Sequence, residues 1–242
     1  MILGGAPLRG RRSVFFKKYR TPQQRLKGYY RRTGYYGRFY ANRQNSWMPE
    51  LKFIEFSVLT IPVPNQLNTA LNYTNLNTIA NSTGESGRIG RKITFRYLEI
   101  RGDFTLLENT TANATTDVVR MVIFVDKQTN GFSANLDAML STVTNGEAVN
   151  APYLLENQGR FSVICDKMVH INALAGGIGA TASSGRSIKS FRFQTMMNVP
   201  MEYAASTGAI TEIASNSLHL CFVSKRNLTS VKFTARARFS DN

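Results

Sequence analysis

The first 45 residues constrain this chain more than any other stretch. They hold twelve basic residues, Arg9, Arg11, Arg12, Lys17, Lys18, Arg20, Arg25, Lys27, Arg31, Arg32, Arg38 and Arg43, and no acidic one; the first carboxylate is Glu50. A like-charge run of this length repels itself and cannot bury enough apolar surface to fold alone. Aromatic rings are threaded between the charges at Phe15, Phe16, Tyr19, Tyr29, Tyr30, Tyr35, Tyr36, Phe39 and Tyr40. Cations of this density neutralise phosphates, and interleaved rings offer stacking platforms for unpaired bases at roughly 1–3 kcal/mol each. The arm therefore calls for a polyanion. These residues do not distinguish DNA from RNA, and a nuclear-import signal fits the same composition.

The basicity is a property of the arm. The whole chain of 242 residues carries +15, the arm carries +12, and the remaining 18 cations and 15 acids leave residues 46–242 at +3. The expected division is a basic, largely disordered arm at 1–45 and one near-neutral globular domain at 46–242, long enough to bury its own core. Two cysteines, Cys165 and Cys221, make no disulfide framework. Charge rather than a long apolar stretch follows the N-terminus, and no apolar run approaches the roughly 20 residues that span a bilayer. The expected setting is cytosolic or nuclear, with no membrane partner.

Thr21-Pro22-Gln23-Gln24 reads as a helix start, and Leu26, Tyr29 and Tyr30 follow at helical spacing, so a short basic helix is expected at 22–33. From Leu51 the texture turns to strands separated by Asn, Gly, Ser and Thr clusters. Eight segments emerge: 51–63, 91–107, 117–126, 160–166, 168–173, 187–197, 217–225 and 230–240. In the second, Ile93, Phe95 and Tyr97 share a parity and Leu98, Ile100, Phe104 and Leu106 take the other, a slip that predicts a bulge. The third, Val118–Val125, is apolar on nearly both parities and predicts a central, covered strand. The last alternates Val231, Phe233, Ala235, Ala237 and Phe239 with Lys232, Thr234, Arg236 and Arg238. A short helix fits 133–140, and 64–90, 127–159 and 198–216 read as long connections. The expected fold class is all-β, a sandwich or jelly roll.

Signals for catalysis are weak. His170 and His219 are the only histidines, and there is no His-x-x-x-His, Cys-x-x-Cys or Gly-x-Ser-x-Gly. A structural histidine is the expectation for both, and no catalytic residue, metal or cofactor is expected. Asp126 and Asp166 each precede a lysine and read as strand-end turns. Gly84–Lys92 misses the P-loop spacing and leads into a strand rather than a helix. It reads as a flexible turn whose Arg88, Arg91 and Lys92 are available to a phosphate or a neighbouring subunit. Cys165 and Cys221 read as small core residues.

The segments GESGRIGRKI at 84–93, VVRMVIFVDKQTNG at 118–131 and RFSVICDKMVHIN at 160–172, together with the arm, resemble the capsid proteins of circular Rep-encoding single-stranded DNA viruses, the circovirus-like or CRESS-DNA group. The body is also broadly similar to capsids of small satellite RNA viruses. The resemblance implies a single eight-stranded jelly roll with strands B to I in two sheets, BIDG and CHEF, and an icosahedral T=1 shell of sixty copies with the arms inside on the single-stranded DNA genome. Assigned in order, the eight segments become B to I, so that 91–107 is C, 117–126 is D and 187–197 is G. Under that assignment Arg120 on D, Arg192 on G, and Lys232, Arg236 and Arg238 on I form a basic inner wall continuing the arm, the alternative being solvated charge paired with scattered acids. Strand E would lie beside H, bringing Cys165 and Cys221 near one another.

The expected partners are therefore other copies of the chain, the genome, and nuclear import receptors reading the arm, with the virion and the host nucleus as locations. The long connections are expected to supply intersubunit contacts and the exterior surface. The competing readings are a capsid protein of a small RNA or satellite virus, a non-viral nucleic-acid-binding β-sandwich module, and an enzyme with an anionic substrate.

Overall fold

The structure, a computed structural model, describes residues 51–67, 73–106, 116–129, 131–141, 147–172 and 188–241. The arm, with its expected helix at 22–33, lies outside the described residues. The described residues hold nine strands: β1 Lys52–Pro62, β2 Tyr73–Asn75, β3 Lys92–Leu106, β4 Thr116–Asp126, β5 Phe161–Asn172, β6 Ile188–Tyr203, β7 Ile213–Ser215, β8 Ser217–Ser224 and β9 Thr229–Asp241. They form two antiparallel sheets, ordered β1-β9-β3-β6-β7 and β2-β8-β4-β5. With the three-residue β7 set aside, lettering the strands in chain order gives B-I-D-G and C-H-E-F. The fold is an eight-stranded jelly roll.

The strand count agrees with the sequence reading, but three of the segments take a different letter. Strand C is β2, a three-residue strand inside what reads as the 64–90 connection. A piece that short in an Asn- and Thr-rich stretch has no room to show alternation. Residues 91–107 are consequently D, and 117–126 are E. Residues 160–166 and 168–173 are one strand, F, running unbroken from Phe161 to Asn172. Asp166 therefore sits in mid-strand, where the sequence suggests a strand-end turn; its pairing with Arg120, described below, satisfies the carboxylate there. Strand G also runs on to Tyr203, and β7 pairs with its end, so the 198–216 connection is shorter than it reads.

The inter-sheet core is built from strands whose parity the sequence displays. Ile93 and Phe95, then Leu98, Ile100, Phe104 and Leu106, are buried, and the β3 register shifts between Phe95 and Tyr97 against both neighbours. The predicted bulge is there, with Arg96 as the extra residue against β9. Phe104 stacks on Phe191 at 4.5 Å and meets Phe222 edge-on at 5.7 Å, tying the two sheets together. Aromatic pairs of this kind add about 0.5–1.5 kcal/mol beyond the area they bury.

Strand β4 is central and covered on both faces. Val119, Met121 and Ile123 join the inter-sheet core, while Val122 and Phe124 join a second cluster with Leu136, Met139, Leu140 and Val149. Residues 131–141 and 147–157 thus roof the far face of C-H-E-F, with single 3-10 turns at Leu136–Ala138, Ala148–Asn150 and Leu155–Asn157. The helix expected at 133–140 is only the first of these turns. The cysteines do not come together. Cys165 is opposite Ile123 and faces the inter-sheet core; Cys221 is opposite Val122 on the other side of β4 and faces the second cluster.

Candidate nucleic-acid interface

The clean alternation of β9 decides which side chains face solvent on the B-I-D-G sheet. Val231, Phe233, Ala235, Ala237 and Phe239 are buried, so Lys232, Thr234, Arg236 and Arg238 project outward. Register then fixes their neighbours. Arg238 lies opposite Phe53 and Tyr97, Arg236 opposite Glu55 and Glu99, Thr234 opposite Ser57 and Arg101, and Lys232 opposite Asp103. One strand further, Arg192 lies opposite Arg101 and Ser190 opposite Asp103. Of the residues singled out as an inner wall, Arg192, Lys232, Arg236 and Arg238 therefore share one solvent face.

Part of this charge is paired. Glu99 Oε1 accepts from Arg101 Nε at 2.7 Å and from Arg192 Nε at 3.0 Å, so one carboxylate holds two guanidiniums. Burial would raise the Glu99 carboxyl, but the hydrogen bonds from Arg101 and Arg192 outweigh it and hold the group below its ordinary range. Arg236 pairs with Glu55. Arg238 lies over the Tyr97 ring at 6.0 Å. Over the stretch from Arg238 to Lys232, five cations, Arg101, Arg192, Lys232, Arg236 and Arg238, stand against three carboxylates, Glu55, Glu99 and Asp103, an excess of two positive charges. Sequence reasoning missed Arg101 because it placed 91–107 in the other sheet. The signal was available: Arg101 has the parity opposite to Leu98 and Ile100.

Arg120 is not part of this face. It sits on β4 in the C-H-E-F sheet with 4% of its surface exposed. Its Nε and Nη2 meet Asp166 Oδ1 and Oδ2 at 2.9 and 2.7 Å, and its Nη1 donates to the carbonyls of Val149 and Ala151. Tyr153 Oη donates to the same Asp166. The arginine thus fastens the roof segment to the sheet and is spent on structure.

Arg88 is not available to a phosphate either. It is 1% exposed, donates to the carbonyls of Ile79, Gly90 and Ala205, and stacks over the Tyr203 ring at 4.2 Å. It cannot meet a phosphate without dismantling that turn. Arg91 is exposed, and Lys92 pairs loosely with Glu202 at 3.6 Å.

Of the histidines, His170 is exposed on β5. His219 is fully buried, 2.6 Å from Ser217 Oγ through Nε2 and stacked on Phe124 at 5.0 Å. Burial depresses its pKa to about 4. Asp126 is fully buried and accepts two bonds from Arg160, at 2.8 and 2.7 Å. The described residues hold no group of three or more His, Cys, Asp or Glu side chains placed to bind a metal. None of their helices is long and apolar enough to cross a membrane. The arm residues Arg9, Arg11, Arg12, Lys17, Lys18, Arg20, Arg25, Lys27, Arg31, Arg32, Arg38, Arg43, Tyr29, Tyr30, Tyr35 and Tyr36 lie outside the described residues.

No family model and no curated protein matches the sequence. Among solved structures, the chain is similar to one of desmodium yellow mottle tymovirus, at 11% identity and a TM-score of 0.31, covering 80% of this chain and 89% of that one. It is also similar to the 60-mer BFDV capsid protein, at 6% identity and a TM-score of 0.28, covering 79% of this chain and 92% of that one.

Proposed function

We propose that the chain is a viral coat protein that self-assembles into a small icosahedral shell and packages single-stranded DNA through its basic arm. The observation that carries this reading is the joining of a +12 arm to a near-neutral B-I-D-G/C-H-E-F jelly roll. A domain of this kind has two broad faces and several strand edges for neighbours, while the arm repels itself until a polyanion neutralises it. The resemblance of 84–93, 118–131 and 160–172 to CRESS-DNA capsid proteins supports DNA over RNA as the cargo. The reading is non-catalytic: cations condense the strand, rings stack on its bases, and subunit contacts close the shell.

In this reading the solvent face of B-I-D-G is the inner wall. The first strand after the arm in the sequence, β1, is an edge strand of that sheet. Sixty arms bring roughly 700 positive charges against one negative charge per nucleotide. A genome of a few thousand nucleotides exceeds that, and an excess of two charges per subunit on the wall supplies part of the remainder. Assembly takes place in the host nucleus, reached through import receptors that read the arm.

Electron microscopy of the purified chain tests the proposal. Uniform particles about 20 nm across are expected for sixty subunits of this size. A chain that stays monomeric at every salt concentration would sink the coat reading. Nuclease digestion of the co-purified nucleic acid separates the cargoes: sensitivity to RNase alone overturns the DNA assignment and favours the small RNA virus reading.

A further inference from the structure

Where β3, β6 and β9 run side by side at Gly102, the solvent face of B-I-D-G sinks into a depression of about 360 Å³. Its volume falls near the lower end of the roughly 300–1,000 Å³ typical of small-molecule sites. The three strands can run this close only with glycine at 102. A Cβ there would come within 2.5 Å of the Lys232 carbonyl oxygen and 2.8 Å of Phe191 Cζ. The lining side chains converge chemically: Arg101, Arg192 and Lys232 are cationic, Ser190 and Thr234 carry hydroxyls, and Asp103 supplies one carboxylate.

The charges are arranged rather than scattered. Both arginines direct Nε and Nη2 at Glu99, which fixes two otherwise mobile guanidiniums and turns their Nη1 edges away from that carboxylate. Three cations against Glu99 and Asp103 leave one positive charge at the site. A phosphodiester carries one negative charge and is neutralised by it; a terminal phosphate or a polyphosphate carries more and meets the Asp103 carboxylate. Asp103 in turn can only accept hydrogen bonds, and a carboxylate at a base edge selects an exocyclic amine.

We propose that this depression is a single-nucleotide site. One phosphodiester of an unpaired strand lies among Arg101, Arg192 and Lys232, and Asp103 accepts from the exocyclic amine of the attached base, so that cytosine is preferred to thymine or uracil. The assignment rests on the inner-wall reading and deepens it. A wall that only screens charge has no reason to distinguish bases.

The test is photocrosslinking of the full chain to otherwise identical single strands carrying 5-iododeoxycytidine or 5-iododeoxyuridine, with the crosslinked peptides mapped by mass spectrometry. Peptides containing Arg101–Asp103 and Ser190–Arg192 are expected to take iodocytidine at least about five-fold more than iodouridine, the ratio that a hydrogen bond of about 1 kcal/mol gives. Lys232→Gln, an exposed change checked by an unchanged melting temperature, is expected to lower crosslinking at these peptides about five-fold and to leave arm peptides within two-fold. Asp103→Asn is expected to abolish the preference for cytosine. Crosslinks spread evenly over the B-I-D-G face, indifferent to Lys232 and to the base, overturn the site and leave the wall standing. Crosslinks confined to the arm overturn both.

Discussion

Arg120 and Asp166 face each other across neighbouring strands, Nε to Oδ1 at 2.9 Å and Nη2 to Oδ2 at 2.7 Å, in the parallel two-bond geometry that only arginine offers a carboxylate. The arginine is almost fully buried and the aspartate about one-quarter exposed. Burial would raise the Asp166 carboxyl, but the hydrogen bonds from Arg120 and Tyr153 hold it below its ordinary range. Removing one partner strands the other charge and releases the carbonyls of Val149 and Ala151. Arg120→Ala is expected to cost about 3 kcal/mol in urea unfolding, while Arg192→Ala on the solvent face costs well under 1 kcal/mol. Because the folded Asp166 pKa is depressed, its contribution is complete above the unfolded value near 4 and is lost as pH falls through the lower folded value. Asp166→Asn should flatten stability in that acid window and leave its slope at neutral pH unchanged.

His219 predicts a second window, at higher pH. Its ring is buried between Phe124 and Ser217 Oγ, and burial lowers its pKa from 6.5 to about 4. Asp126 favours the charged ring and Arg160 opposes it, but desolvation dominates. A depressed folded pKa gives stability that is complete above about 6.5 and declines as pH falls towards 4, by up to about 3 kcal/mol in total. Urea titrations at pH 7 and pH 5 check this directly. The wild type should lose stability between them, and His219→Gln should lose much less. Equal losses in both proteins would show that another group controls the slope.

Asp117 organises the turn between β8 and β9. Its two oxygens accept from the backbone of Val118, Arg226 and Leu228 and from Thr229 Oγ1, at 2.8–3.2 Å, with 1% of the residue exposed. The turn needs this because Asn227 has φ 56°, a backbone state that costs a non-glycine residue unless hydrogen bonds hold it. Asp117→Ala leaves three backbone donors and a hydroxyl without their acceptor. Two or more kcal/mol of lost stability is expected, at about 1 kcal/mol per unsatisfied group after partial rehydration. Amide exchange of Arg226 and Leu228 should accelerate before that of the β4 centre. Asp117→Asn keeps the acceptor at one oxygen and should cost roughly half as much.

Much of this architecture could be read from the chain, and the misreadings have physical causes. Period-two alternation in β9, the double-sided burial of β4 and the bulge at Arg96 are local consequences of which face meets the core, and local sequence displays them. Strand C is only three residues, too short for a period to appear, and overlooking it moved Arg101 into the wrong sheet and Arg120 onto the wrong face. Arg88 and Arg120 show a different limit. A buried and an exposed arginine have the same letter, and only long-range partners such as Tyr203 or Asp166 tell them apart. For the solvent face of B-I-D-G, parity along the last strand marked Lys232, Arg236 and Arg238, and the sheet plan implied by the resemblance added Arg192. The acids that pair with them, Glu55 and Glu99, come from other strands and needed the register.

Gly208 gives a sharp backbone prediction. It has φ 74°, and a Cβ there would sit 2.3 Å from the Ile79 carbonyl carbon and oxygen. That same carbonyl accepts from Arg88 Nε, so the clash falls on the anchor of the 79–90 turn. Gly208→Ala should lower stability by at least about 2 kcal/mol, combining the left-handed penalty with displaced backbone. At Gly159, which has no positive φ, an added Cβ would meet nothing within 4 Å. Alanine should be tolerated there with little change in melting temperature.

The cations of the B-I-D-G face differ in what they can offer a strand, and salt dependence reads the difference. Lys232 has no ion pair among the described residues and Arg238 lies over Tyr97, whereas Arg236 is tied to Glu55. An unpaired cation meeting a phosphate releases a counterion and contributes about 0.7 to the slope of log affinity against log salt for a single strand. A cation already neutralised by a carboxylate must first give up that partner and releases less. In oligonucleotide titrations of the full chain, Lys232→Gln and Arg238→Gln should each reduce the slope by about 0.7, and Arg236→Gln by clearly less. Glu55→Gln should then increase the slope by freeing Arg236. If all four variants leave the slope unchanged, the arm alone carries the electrostatics and the face of the sheet takes no part in binding.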